Sequence, residues 1–333
     1  MKKVSIIIPV YNVAKYITRC LDSVSSQTYD KIECILIDDC GTDESMRIVE
    51  EYVKFYKGSI EFKLTYHNEN RGQASARNTG ILAATGDYLF FLDSDDAITN
   101  NCIEILINLS EKYPDADFIQ ANTVIGNDDN LMPYTFSIKP PEYCNNKEVI
   151  DQLILSSLTM TVWNRLIKRP FIINHSLFFP DGISCEDMYW IYFLAKKVKV
   201  AAFTDKGTYL YYKNSNSDSN SITWTNKYKH FQGQMIAARD FFSDILQSKH
   251  VSKYQRQYFA GNLVAAMGNL MILHSIKLWG EFWLIVCKIA WCFKSKTSFY
   301  RFLLFITMMP PICFIAGTKG GLWRIKHYIV INT

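Results

Sequence analysis

Tyr88-Leu-Phe-Phe-Leu-Asp-Ser-Asp-Asp96 runs five apolar or aromatic residues directly into three carboxylates. Unbroken apolar character reads as a strand buried on both faces, and such strands occupy the middle of parallel α/β sheets. The carboxylates then stand at its C-terminal end. Ligands bind at that edge in open α/β sheets, and clustered Asp there points to a hard divalent cation holding phosphate oxygens. Asp and Ser are also ordinary turn and cap residues, so an acidic turn closing onto the next helix is the competing reading.

Outward from that stretch the pattern repeats. Val4 to Val10 is a β-rich run that Pro9-Val-Tyr-Asn12 turns out of the sheet. Val13, Tyr16, Ile17, Cys20, Leu21 and Val24 follow the helical period, which predicts a helix with Asn12 near its N-cap. A second strand, Ile32 to Ile37, ends in Asp38-Asp-Cys-Gly-Thr-Asp43. A helix through Ile48, Val49, Tyr52, Val53 and Tyr56 follows, then a strand over Phe62 to Tyr66 and a helix of small residues from Ala74 to Ala84. The first hundred residues thus read β-α-β-α-β-α-β, the pattern of a doubly wound, mostly parallel α/β sheet with its site at the carboxyl edge. Beyond them we expect a helix over Cys102 to Leu109, a strand over Asp117 to Val124, a polar turn over Gly126 to Leu131 and a helix over Val149 to Leu158. An aromatic helix opened by Glu186-Asp187 comes next, then two short strands, Val198 to Phe203 and Gly207 to Tyr212, and a mobile polar loop, Asn214 to Ser221.

The chain's 333 residues exceed the usual single core, so an α/β domain with a smaller appended region is the default. Half the residues are hydrophobic or nearly so (49%), which excludes a disordered chain, and a net charge of +4 gives no sign of a nucleic-acid binder. Nine cysteines carry no C-x-x-C pair, so neither a zinc site nor a disulfide framework is expected. The Met-Lys-Lys start and apolar run are too short for a signal peptide and are broken by Pro9, which with the thiols predicts a cytoplasmic location.

Three acidic sets need one explanation: Asp38/Asp39, Asp93/Asp95/Asp96 and Glu186/Asp187. A nucleoside diphosphate gives each a task. A strand-end Asp accepts a hydrogen bond from a base or ribose, a D-x-D pair holds a divalent ion on the diphosphate, and a later carboxylate removes an acceptor proton. Glu186-Asp187 is equally readable as an acidic first turn favourable to its helix dipole. Trp163-Asn164-Arg165 lines an acceptor site or is packing plus a surface charge; Lys213 reaches the diphosphate or is a solvated loop lysine. His67 and His175 receive no function.

The sequence resembles the family two glycosyltransferases of GT-A fold. The likeness rests on Val4-Ser-Ile-Ile-Ile-Pro-Val-Tyr-Asn12, Ser23-Val-Ser-Ser-Gln-Thr-Tyr29, Ile37-Asp-Asp-Cys-Gly-Thr-Asp43, Asn70-Arg-Gly-Gln-Ala-Ser-Ala-Arg-Asn-Thr-Gly80, Gly86 to Asp96 and Glu186-Asp187, in order over roughly residues 1 to 215. It implies a GT-A domain over 1–215, with a nucleotide-sugar half (1–125) and an acceptor half (126–215), and a helical extension over 216–333. It implies that Pro9, Tyr11 and Asp39 surround the base, Asp39 on a uracil-type edge. Asp93 would face the ribose or donor sugar, Asp95 would bind Mg²⁺ or Mn²⁺, and Arg77 would lie near the donor phosphates. Asp187 matches the catalytic base, with Glu186 beside it. The implied activity is inverting transfer from a UDP-sugar to a saccharide or lipid-linked acceptor in surface polysaccharide synthesis. Cys40-Gly41-Thr42 departs from the family's usual Gly-Ser, although Thr42 keeps a hydroxyl. A nucleotidyltransferase would show a basic, glycine-rich phosphate loop near the first strand, and Pro9-Val-Tyr-Asn12 offers none. A non-catalytic nucleotide-sugar sensor would have no need of all three acidic sets.

Two C-terminal runs, Phe282 to Phe293 and Phe302 to Thr318, are strongly apolar. The first is broken by Lys288, and the second has about 17 uncharged residues, the lower limit for a span, with Pro310-Pro311 in its middle. Lys294, Lys296, Arg301, Lys319, Arg324 and Lys326 flank them, and no acidic residue follows Glu281. Basic flanks with Trp279, Trp283, Trp291 and Trp323 suit peripheral attachment to the anionic inner face of the cell membrane. Packing on the catalytic domain or in a homo-oligomer is the other reading.

Overall fold

A computed structural model of the chain describes residues 1–127, 130–133, 139–157, 161–213, 223–273 and 275–292. The first elements alternate as the periodicity requires: β1 (Val4–Val10), α1 (Ile17–Ser25), β2 (Ile32–Asp38), α2 (Ser45–Phe55), β3 (Glu61–Tyr66), α3 (Gln73–Ala83) and β4 (Tyr88–Phe91). There follow β5 (Ala97–Ile98), α4 (Cys102–Lys112), β6 (Phe118–Asn127), β7 (Asn130–Pro133), β8 (Tyr143–Cys144) and α5 (Lys147–Gln152), which runs into a π-helical turn, Leu153–Ser157. The sheet half closes with β9 (Arg165–Lys168), α6 (Arg169–Asn174), α7 (Glu186–Lys197) and β10 (Ala201–Tyr212).

The strands form one sheet in the order β3-β2-β1-β4-β9-β6-β10-β5, with β7 added to β6 and β8 to β10. From β3 to β4 every ladder is parallel, the doubly wound half that the alternation predicts. β4 is buried at all four positions, as its unbroken apolar sequence demands. Beyond β4 the sheet is mixed: β9 lies antiparallel between β4 and β6, while β6 and β10 are parallel. Alternate residues of β1 divide the core. Ile6 and Ile8 join a cluster with Leu21 of α1, Val49 of α2 and Ile103 of α4. On the other face Ile7 meets α3, where a Cβ on Gly80 would lie 2.3 Å from Ile7 Cγ2, so this helix rests on the sheet only because Gly80 has no side chain.

Several expectations change. Asn12 does not cap α1, which begins at Ile17 behind Tyr16. Instead its backbone is left-handed (φ 52°), a conformation Asn tolerates, and its Oδ1 accepts hydrogen bonds from the Thr42 and Asp43 amides at 2.8 and 3.3 Å. The two short strands expected at 198–212 are one, β10, whose register against β6 shifts on either side of Gly207. The expected helix over Val149 to Leu158 starts earlier, at Lys147, behind an Asn146 side chain that caps the Glu148 and Val149 amides, and gives way to the π-turn. The expected loop at Asn214 to Ser221 lies outside the described residues.

The packing divides the chain into two compact units, one of Met1–Gly182 with Glu186–Ser215 and one of Ile183–Cys185 with Asn216–Thr333. Within the second, the described residues form α8 (Trp224–Gln247), α9 (Lys253–Leu273) and α10 (Ile276–Cys292). α9 opens with a reciprocal cap in which Ser252 N donates to Gln255 Oε1 and Gln255 N to Ser252 Oγ. α8 and α9 are tied through their buried faces, where Asn262 donates to Gln234 O at 2.8 Å. No helix among the described residues is long and apolar enough to cross a membrane.

Candidate active site

The carboxyl edge of β1, β2 and β3 is built by register. β1 and β2 pair Val10 with Asp38, and β2 and β3 pair Asp38 with Tyr66, so the next residues, Asp39 and His67, become neighbours. Asp39 is buried and its carboxylate is held by three donors. Oδ1 accepts from His67 Nδ1 at 2.8 Å and from the Arg71 amide at 2.9 Å; Oδ2 accepts from the Gly72 amide at 2.8 Å. His67 Nε2 in turn lies 2.9 Å from Thr79 Oγ1. Gly72 caps α3 with φ 85°, and a Cβ there would meet nothing within 4 Å, so open space adjoins Gly72, while the Asp39 side chain keeps 3% exposure. Tyr11 is 46% exposed at the same edge, whereas Pro9 is buried within β1 beside Ile37. Cys40 is exposed and left-handed (φ 60°), its amide donating to Asp38 Oδ1 at 2.9 Å.

The second cluster is centred on Arg77, which α3 carries one turn beyond Gln73. Its guanidinium is 1% exposed and joins three carboxylates: Nη2 donates to Asp93 at 2.9 Å, and Nη1 to Glu186 at 2.9 Å and to Asp187 at 2.7 Å. Gln73 adds a bond to the same Asp93 oxygen at 3.1 Å. The Phe179 ring covers the guanidinium at 5.3 Å, and Arg77 Nε is buried without a hydrogen-bond partner. Resemblance implied a place for Arg77 near donor phosphates; in the structure its terminal nitrogens are taken up by carboxylates. Adjacent Asn78 clamps the covering loop, accepting from the Phe179 amide and donating to its carbonyl, both at 2.8 Å.

Glu186 and Asp187 open α7, whose Trp190 stacks on Phe179 at 4.9 Å and donates to Leu177 O at 3.0 Å, which fixes the start of the helix. Burial pushes the Asp187 carboxyl up to about 7, with the Glu186 charge adding to the rise and Arg77 opposing it. Its side chain nevertheless keeps 26% exposure. Asp93 is also raised, by burial first, with Arg77 opposing and Asp187 adding.

Within the Asp93–Asp96 turn the three Asp residues differ. Asp96 is buried and serves the framework: Tyr209 Oη donates to its Oδ2 at 2.8 Å and the Tyr212 amide to its Oδ1 at 2.9 Å. Tyr209 Oη also accepts from the Asp93 amide at 3.2 Å, so one hydroxyl spans the turn. Burial, then Asp93 and Asp95, raise Asp96 well above the usual carboxylate range. Arg19 braces the turn from α1, donating to Asp95 O at 2.8 Å while its guanidinium lies 3.5 Å from the Tyr212 ring centre. Asp95 is only partly buried. Among the described residues no group of three or more His, Cys, Asp or Glu forms a metal cage. The hard oxygen donor of Asp95 instead fits the way Mg²⁺ or Mn²⁺ is shared between one or two carboxylates and substrate phosphates.

Trp163, Asn164 and Arg165 are all interior. Trp163 stacks on Tyr209 at 4.2 Å, Asn164 bonds the Ala121 and Asn122 carbonyls, and Arg165 bonds Gln120, so Arg165 is not the surface charge its sequence suggests. Lys213 is exposed, its amide bonded to Gly126 O at 2.8 Å. His67, Asn78 and Tyr209 are site residues that sequence reading passed over. For His67 a signal was present, because it is the first residue after β3 at the edge where Asp39 follows β2.

The glycosyl transferase family 2 model matches residues 5–174. Glycosyltransferase GlyA of Streptococcus pneumoniae serotype 4 is 32% identical over 241 residues, which is 68% of this chain and 33% of GlyA; the chain therefore spans a third of that relative's length. Staphylococcus aureus TarS residues 1–349, in complex with UDP-GlcNAc, superposes with TM-score 0.68 at 19% identity, covering 86% of this chain and 80% of that one. The mannosyltransferase PcManGT of Pyrobaculum calidifontis, in complex with GDP-Man and Mn²⁺, gives TM-score 0.56 at 15% identity over 99% of this chain and 85% of that one. The two structures share the fold; the family model covers 170 of 333 residues, from 5 to 174, and with it the strand ends that carry Asp39 and Asp93 and the helix that carries Arg77, so this chain belongs to glycosyl transferase family 2.

Proposed function

We propose that the protein transfers a sugar, with inversion, from a UDP-sugar to a hydroxyl of a saccharide or lipid-linked saccharide during surface polysaccharide synthesis. One observation carries the reading: Arg77 joins the strand-end Asp93 to Asp187, a carboxyl raised to about 7 that still keeps an open edge. A general base works best with a pKa near the working pH. Asp187 takes the acceptor hydroxyl's proton, the oxygen attacks the anomeric carbon, and the bond to the diphosphate breaks with its electron pair leaving on the diphosphate. Asp93 receives the donor sugar or ribose, Arg77 orients the acidic residues, and Glu186 tunes its neighbour. Asp39, Tyr11 and Pro9 form the base end, with Tyr11 offering an exposed ring for stacking.

Asp95 would hold Mg²⁺ or Mn²⁺, which when bound supplies charge stabilisation to the diphosphate; the Mn²⁺ in the PcManGT complex supports this. The UDP-GlcNAc bound by TarS, a poly(ribitol-phosphate) β-N-acetylglucosaminyltransferase, favours a UDP-linked hexose or N-acetylhexosamine as donor and a cell-envelope acceptor. The helical extension over 216–333 would hold the enzyme peripherally at the inner membrane face. Asp187→Asn is expected to lower transfer about a thousandfold, within the usual range for a general base, while calorimetry shows UDP binding unchanged. Near-normal turnover in that variant would remove Asp187 from the role.

A further inference from the structure

We propose that His67 is a positioning residue that sets which nucleobase Asp39 can accept. The inference rests on the reading of Asp39 as the base contact and extends it to a residue with no assigned role. A carboxylate offers about four acceptor positions, two on each oxygen. Asp39 Oδ1 spends both, on His67 Nδ1 and the Arg71 amide, and Oδ2 spends one on the Gly72 amide. One acceptor is left, on the oxygen bonded to the amide of Gly72, the residue beside which space is open. A single acceptor suits a base edge with one ring N–H between two carbonyls, which is uracil. Guanine presents a ring N–H beside an amino group and needs two acceptors side by side.

The imidazole is itself fixed. A carboxylate only accepts, so the bond to Asp39 puts a proton on Nδ1, and Nε2 is held by the Thr79 hydroxyl at 2.9 Å. Thr79 stands on α3, two residues after Arg77, so the helix that gathers the acidic cluster also anchors the imidazole at the base end. Losing the imidazole frees Oδ1, which makes Asp39 a two-point acceptor and admits guanine.

The test is calorimetric titration of UDP and of GDP into the full chain with Mn²⁺ present. The native protein is expected to bind UDP at least about tenfold more tightly than GDP, on the scale of one hydrogen bond to a charged group. His67→Leu should lower that ratio about tenfold, and His67→Asn, whose amide can replace the Nδ1 donor, should restore it to within about threefold. Thr79→Val removes only a hydroxyl at constant shape and should lower the ratio about threefold, deciding the matter if His67→Leu does not fold. A native protein that does not discriminate, or a ratio unmoved by both His67→Leu and Thr79→Val, overturns the proposal. Asp39→Asn separates the two levels: undiminished UDP binding there removes the base contact itself, whereas weakened binding with unmoved His67 variants removes only the role of His67.

Discussion

At Asp187 burial and charge pull in opposite directions. Desolvation and Glu186 raise the carboxyl to about 7 and the Arg77 guanidinium pulls it down, so the proton is held lightly enough to leave near neutrality. Transfer should therefore rise with pH through about 7 and level off above it, falling about tenfold per unit on the acid side, as a pH–rate profile of saturated enzyme would read. Stability carries the opposite sign. The folded carboxyl keeps its proton up to about 7, whereas the unfolded one loses it near 4, so this group's contribution is full in acid and is lost as pH rises through 7. Arg77→Met removes the opposing charge and should move the acid limb of the rate profile to higher pH. A limb that stays in place in that variant would mean Arg77 does not govern Asp187. The buried cation also leaves three carboxylates uncompensated when removed, so a loss of about 3–5 kcal/mol in denaturant unfolding is expected alongside.

Among the elements, α3 does the most with the least volume. Within eight positions it supplies Gln73 and Arg77 to Asp93, Asn78 to the Phe179 loop, Thr79 to His67 and Gly80 to the sheet. Gly80→Val has to push either α3 or Ile7 aside. We expect a loss of about 1–3 kcal/mol in urea unfolding together with weaker transfer, because lifting the helix moves Arg77 as well. Stability lost without any change in transfer would show that the acidic cluster is positioned from elsewhere. The small-residue composition of this helix made its close approach legible in the sequence, and the strand-end carboxylates made the site's edge legible. The partners of Arg77 were not, because Glu186 and Asp187 lie 109 and 110 residues away. Periodicity gives an element's face but not its neighbour across a mixed sheet. For the same reason Trp163-Asn164-Arg165 read either as an acceptor lining or as packing plus a surface charge, whereas the antiparallel insertion of β9 between β4 and β6 places Arg165 in the interior. Asp96 had no role of its own in the sequence, and β10 supplies one through Tyr209 and Tyr212.

At the scale of the whole molecule, charge is unevenly spread along the chain. From Phe282 to Thr333 there are seven Lys or Arg and no Asp or Glu, against a total of only +4. The full chain is expected to float with vesicles containing anionic lipid, to float less as salt is raised, and to stay behind with neutral vesicles. Equal recovery with neutral lipid would remove the electrostatic part of the proposed attachment. The left-handed turn at Cys40 has a use of a different kind. Cys20, Cys34 and Cys102 are buried with their thiols pushed up by desolvation, and Cys144 is buried too, whereas Cys40 stands exposed beside Asp38 and Asp39. Among the described residues a maleimide dye should thus react fastest at Cys40, and Cys40→Ser should abolish that fast phase. If UDP occupies the adjoining edge, it should slow labelling and alter the emission of a dye already attached, giving a direct optical readout of donor arrival before any acceptor has been identified.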